Sequence, residues 1–273
     1  MSKLIEKQIK KIYENVFKQV FNRSNLTNLY KGSTDQIELQ MVKFASSKQY
    51  QEFAKKFAIE LAKKGLNSQR GIWRKYFEAA KKSRHIALPK TFNEFELNVM
   101  KKAVENNFKM ITSIPNEVMN NFKYKYINTL ISEVAKNNIS RGSFRKQLEK
   151  TGNTHAKVVA RTETAKLQTV ILQNRALDLG SVAYIWLASN DKRTRPSHKA
   201  MNGVVVFWNH NKPLLDNMTG HAGEFPNCRC SPQPIFDEFD LQKPFYKVYD
   251  YRTNNIISMN KKELLEALNR NSL

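Results

Sequence analysis

The chain holds two cysteines, and they stand one residue apart in the run Pro226, Asn227, Cys228, Arg229, Cys230. In an extended segment such a pair projects from one face, so both sulfurs can meet a single partner. A disulfide between them is disfavoured. Residues two apart in a strand have Cα atoms about 6.6 Å apart, near the upper limit for a bridge. Zinc suits the pair better, since it takes four N or S ligands at about 2.3 Å for sulfur and about 2.0 Å for nitrogen. Cys228, Cys230 and His198 supply three candidate ligands, with His221, Asp191 or His210 as the fourth. The bland alternative is two reduced thiols packed as small hydrophobes.

At 273 residues, with 41% hydrophobic and 11% aromatic content, the chain can bury at least one substantial core. The apolar run at 182–188 is far short of the roughly 18 residues of a membrane span. The opening run MSKLIEKQIKKIYENVF is charged throughout, so no secretory signal is expected and the thiols are expected to stay reduced in a cytosol. The net charge of +22 is uneven. Residues 1–150 carry 30 Lys and Arg against 13 Asp and Glu, a net +17, and residues 151–273 carry 16 against 11, a net +5. An excess this large favours a polyanion, and nucleic acid is the commonest one. The lysines are scattered rather than massed in a tail, as a solvated lysine-rich surface would also be.

Apolar spacing gives the organisation. Ile5, Ile9, Ile12, Val16 and Val20 form one helical stripe, and Phe53, Phe57 and Leu61 form another. Pro89 marks a break, and Asn93 with Glu96 reads as a capping box opening a new helix. Pro115 is expected to open another, with Val118, Phe122, Tyr126, Leu130 and Val134 on one face and a break at Asn137 and Asn138. Ser143 starts a short basic helix that ends at residues 151–153. A longer helix follows from Thr154 to Leu179, closed by Gly180. Arg161 and Asn174 lie on or near its apolar stripe and need partners. Residues 182–187 and 203–208 are β-branched and aromatic and read as strands. Residues 246–257 read as a hairpin, and Asn260 with Glu263 caps a terminal helix.

Ala160, Arg161, Thr162 and Glu163 on a helix are followed by Trp186, Asp191, Arg193, Thr194, Arg195, His198, then Gly203 with Phe207, and Pro226 to Cys230. In this order and spacing the chain resembles the phage Mu protein F-like family of head-morphogenesis, or minor capsid, proteins of tailed bacteriophages. The likeness covers roughly residues 140–236. Two positions depart from it. Arg195 and His198 stand where many relatives have C-x-x-C. Phe225 stands where a His often precedes P-N-C, with His221 a few residues upstream as its replacement.

The expected fold is α+β, a mostly helical N-terminal region followed by a small antiparallel β domain with zinc as its candidate stabiliser. Residues 1–139 are read as a basic helical region, 140–236 as the family's long helix plus small sheet, and 237–273 as a C-terminal hairpin and helix. The metal set is His198, Cys228, Cys230 and His221. Arg161, Thr162, Glu163, Trp186, Asp191, Arg193, Gly203 and Asn227 are the structural motif residues, with Arg161 and Glu163 expected to pin the long helix to the sheet through buried bonds. Arg193, Arg195 and Lys199 form a basic loop suited to nucleic-acid phosphates.

The resemblance implies a non-enzymatic minor head protein inside the virion near the portal, present in the host cytoplasm during assembly. Its implied partners are the portal and other head proteins, with a part in DNA packaging or ejection. Double-stranded DNA is expected from the charge, and no membrane. The competing class is a metal-dependent nuclease, because Asn209, His210 and Asn211 superficially resemble an HNH core. No acidic cluster accompanies His210 in the sequence.

Overall fold

The computed structural model describes residues 2–20, 35–83, 88–122 and 140–273. Helices come first: α1 (Ser2–Val20), α2 (Asp35–Ser46), α3 (Lys48–Asn67), α4 (Arg70–Ser83), α5 (Phe92–Phe122) and α6 (Arg141–Asp178). Next come β1 (Ala183–Leu187), the short α7 (Pro196–Ala200), β2 (Val204–Phe207), and the small hairpin of β3 (Leu214–Leu215) and β4 (Met218–Thr219). The chain ends with β5 (Ser231–Ile235), β6 (Phe245–Asp250), β7 (Asn255–Asn260) and α8 (Lys261–Arg270). This is the expected α+β order. Two compact units are present, one of Met1–Ala62 with Val104–Thr164, the other of Lys63–Ala103 with Ala165–Leu273. None of the described helices is long and apolar enough to cross a membrane.

In the first unit the stripe Ile5, Ile9, Ile12, Val16 is buried as its spacing requires, together with Tyr13. Helix α3 adds Tyr50, Ala54, Phe57 and Leu61; Phe53 of the expected stripe is 42% exposed, and Ala54 takes the inward position. Pro115 does not open a helix: it lies inside α5. An interior proline removes one N–H and costs about 3 kcal/mol. The carbonyl it strands, that of Ile111, accepts from the Tyr50 hydroxyl at 2.7 Å. The side chains of Val20, Val118 and Phe122, and the residues Tyr126, Leu130, Val134, Asn137 and Asn138, lie outside the described set.

Helix α6 also corrects the local reading. It runs unbroken for 38 residues, through 151–153, although Gly152 costs about 1 kcal/mol in a helix interior. Its end is as expected. Gly180 takes φ 82°, its N–H reaches Leu177 O at 2.9 Å, and Ser181 N–H reaches Ala176 O at 2.9 Å. The start of α5 is capped by Thr91, whose hydroxyl accepts from Glu94 N at 3.2 Å, rather than by Asn93 with Glu96. Glu96 is buried instead and takes a 2.8 Å bond from Arg175.

The second unit is built on a five-stranded sheet in the order β5-β1-β2-β6-β7. It is mixed, not antiparallel as expected, because β2 and β6 pair in parallel. The chain leaves β2, forms β5 on the far side of β1, and re-enters beside β2 in the same direction. Edge strand β5 carries Pro232 and Pro234, which lack the donor that an open edge would offer to another strand. One sheet face buries Ala183, Val205, Phe207, Tyr246 and Val248 against Leu264 and Ala267 of α8. That helix carries the expected capping box of Asn260 and Glu263. The period-2 alternation sends Tyr184, Trp186, Val204 and Val206 to the opposite face, where they are also buried.

Candidate metal centre

The face bearing Tyr184 and Trp186 is covered by the chain between β2 and β5, and that covering segment carries the cysteines. Gly223 takes φ +93°, and a β-carbon there would stand 2.4 Å from the Thr169 hydroxyl. Thr169 donates to Ala222 O at 2.9 Å, so α6 meets this segment closely. The Phe225 ring lies beside Trp186 and His198, with centroids 6.1 and 4.9 Å away. Cys228 N–H then returns to Phe225 O at 2.9 Å, and Asn227 adopts φ 55°, a left-handed turn position that asparagine tolerates. The two cysteines therefore sit on a turn that precedes β5, not on a strand.

His198 arrives from α7, whose first residue, Pro196, presets the helical φ. Its Nδ1 stands 3.4 Å from Cys228 Sγ and 3.5 Å from Cys230 Sγ. The ligand atoms of all three lie within 4.8 Å of one another, and all three residues are buried. The convergence of thiols and imidazole is thus as expected. A tetrahedral zinc with the usual bond lengths separates S and N ligands by about 3.5 Å, so the observed spacing fits the ion. Cys230 N–H points to Cys228 Sγ at 3.4 Å, a contact that favours negative sulfur. The hydrogen bond from Cys230 lowers the Cys228 thiol pKa, and the same bond raises that of Cys230. His198 Nε2 is buried without a hydrogen-bond partner among the described residues.

The other candidates for a fourth ligand are placed elsewhere. His221 Nδ1 is 3.2 Å from the Tyr184 hydroxyl, and its ring meets Tyr184 and Trp208 edge-on at 5.6 and 5.4 Å. Its backbone N–H donates to Glu224 at 2.8 Å. Burial lowers its pKa to about 4, against the opposing field of Glu224. His210 bonds Asn271 O at 2.8 Å and stacks on Tyr251 at 4.0 Å. Asp191 is committed to Arg229, with Oδ1 2.6 Å from Nη2 and a second prong from Nη1 to Oδ2. Among the described residues, the His198–Cys228–Cys230 cluster is the group that could hold a metal ion.

Asp191 also accepts from the Arg193 N–H at 2.9 Å and the Thr194 hydroxyl at 3.2 Å, so it shapes the basic loop. Arg193 and Lys199 are exposed. Arg195 donates to Pro226 O at 2.9 Å and has Asp216 at 3.9 Å. Gly203 takes φ 80° and donates to Trp186 O at 2.8 Å, which turns the chain into β2. In the other compact unit, Thr162 and Glu163 are buried, with the Thr162 hydroxyl on Val158 O at 2.9 Å. Arg161 is not: its side chain is half exposed and pairs with Glu6 of α1 at 3.3 Å. The buried guanidinium of α6 belongs to Arg175, which bonds Glu96 and Leu66 O and lies 5.4 Å from the Trp73 ring. Sequence reasoning missed this pair, because nothing local links residues 79 positions apart.

Over 92 residues, 34% of its length, this chain is 36% identical to an uncharacterized protein of Haemophilus influenzae strain Rd. The chain spans about a fifth of the length of that curated relative (20%). No solved structure matches. Residues 128–232 match the phage Mu protein F like protein family, and that segment contains Glu163, Trp186, Asp191, His198 and the cysteine turn. The chain therefore carries a region similar to the phage Mu protein F like family.

Proposed function

We propose that this chain is a minor head protein of a tailed bacteriophage that acts structurally in head morphogenesis, inside the virion near the portal. The family match over residues 128–232 is the observation that carries the reading. Its partners are the portal and other head proteins, and it takes part in DNA packaging or ejection. The net charge of +22 suits a place beside packaged double-stranded DNA. Arg193, Arg195 and Lys199 are the phosphate contacts on the loop next to the cysteines. No catalytic role is assigned, since His210, the residue a nuclease would need, is bonded to Asn271 and stacked on Tyr251.

Within this reading, zinc bound by His198, Cys228 and Cys230 clamps the Asp191–Arg195 loop to the turn before β5. The S–N spacing of 3.4 and 3.5 Å supports it, as does the chemistry of two soft donors and one imidazole. His221 has no place in this set. Mass spectrometry of procapsids and mature particles tests the location: the protein is expected in both, and its absence from both overturns the assignment. Elemental analysis of untagged protein tests the clamp. About one zinc per chain is expected, lost together with thermal stability in His198→Ala.

A further inference from the structure

A zinc ion held by His198, Cys228 and Cys230 would take one further ligand, and the residues around the cluster have a common chemistry. A cavity of about 70 Å³ opens onto the cluster. This is several times the space one water molecule requires. Besides His198, Cys228 and Cys230, its walls are Ser189, Arg193, Thr194, Arg195, Asn227 and Arg229. Three arginines, a serine and a threonine thus line it with no acidic residue, and the Thr194 hydroxyl is already bonded to Ser189 and Asp191. Arg229 is balanced by Asp191, which stands outside the lining. Arg195 is held by Pro226 O and, more distantly, by Asp216. The guanidinium of Arg193 has no hydrogen-bond or ion-pair partner among the described residues.

We infer that this cavity takes a phosphate-type oxyanion, bound by Arg193 and Arg195 and completing the coordination of the metal. The inference rests on the metal reading above. A zinc ion with two thiolates and a neutral imidazole carries no net charge, so the pull on an anion comes from the arginines. Guanidinium forks match tetrahedral oxyanions in shape as well as charge. No other His, Cys, Asp or Glu among the described residues joins the cluster to close it from within. The oxyanion has two possible sources, free inorganic phosphate or the phosphate of a nucleic-acid strand, and both present the same oxygens.

The test uses the untagged full chain loaded with Co²⁺, whose thiolate charge-transfer and d–d bands report the coordination shell. It is titrated separately with inorganic phosphate, with an unphosphorylated oligo-dT and with the same strand carrying a 5′-phosphate. A saturable band shift with phosphate is expected, weakened at least about tenfold in Arg193→Ala while Co²⁺ stoichiometry holds. A shift with inorganic phosphate alone identifies the free ion as the ligand. A tighter response to the strands identifies nucleic acid, and the two strands distinguish an end from the backbone. Unchanged bands in all three arms, or equal phosphate affinity in Arg193→Ala, overturn the inference with the metal reading intact. Failure to bind Co²⁺ at all overturns the metal reading, and the oxyanion site with it.

Discussion

Arg229, the residue between the two cysteines, closes a two-pronged ion pair on Asp191, 38 positions away in sequence. The pair ties the loop that leads to His198 to the turn that carries the sulfurs. Bonds from Arg229 also hold the Asp191 carboxyl well below the usual carboxylate range. Residues behind the ligands typically alter metal affinity by about 10–100-fold. Arg229→Ala and Asp191→Ala are each expected to weaken zinc retention by at least about tenfold. Arg229→Lys should rescue little, because an ammonium cannot replace the fork. Competition with a chromophoric chelator measures this, and the double variant should lose no more than either single one.

The hydroxyl of Tyr50 covers the carbonyl that Pro115 strands. Tyr50→Phe leaves that buried acceptor unpaired and is expected to cost about 1–3 kcal/mol in denaturant unfolding. Pro115→Ala restores the helical N–H. The loss from Tyr50→Phe should therefore shrink in the Pro115→Ala background, and a cost that stays the same would separate the two residues.

Arg175 is 1% exposed and Glu96 8% exposed, and each depends on the other. Removing one member of a buried pair costs about 3–5 kcal/mol, because a charge is left uncompensated. Glu96→Ala should show that loss in thermal or denaturant unfolding. Replacing both by apolar residues of similar volume should recover much of it.

Burial favours the neutral form of His221, which lowers its pKa to about 4 from an unfolded value near 6.5. The folded state resists protonation, so this contribution is complete above about pH 6.5. It is lost as pH falls toward about 4, amounting to about 3 kcal/mol across the window. Stability measured from pH 7 to 4 should decline accordingly. His221→Gln should flatten the decline while lowering stability at pH 7.

The legible parts of the fold are those with local signals. Gly180, the Asn260 and Glu263 cap, and the β-branched runs of β1 and β2 are each specified within a few residues. The cluster of His198, Cys228 and Cys230 was legible because soft ligands are rare in this chain. The misses are tertiary. Gly152 reads as a stop, yet α6 continues through it. Pro115 reads as a start, yet a tyrosine 65 positions earlier makes it tolerable inside α5. The turn at Asn227 depends on a left-handed backbone that its residue type permits but does not demand. Arg161 lies in the motif, yet the anchored guanidinium of α6 is that of Arg175, whose partner Glu96 is 79 positions away.

The parallel pairing of β2 with β6 has a consequence for assembly. Strand β6 lies between β2 and β7, although the polypeptide between β2 and β6 visits the opposite border of the sheet as β5. The excursion carries the thiol-bearing bend, so the parallel pairing closes a long loop that contains that bend. Non-local pairing of this kind costs loop-closure entropy, which anything that holds the detour together would lessen.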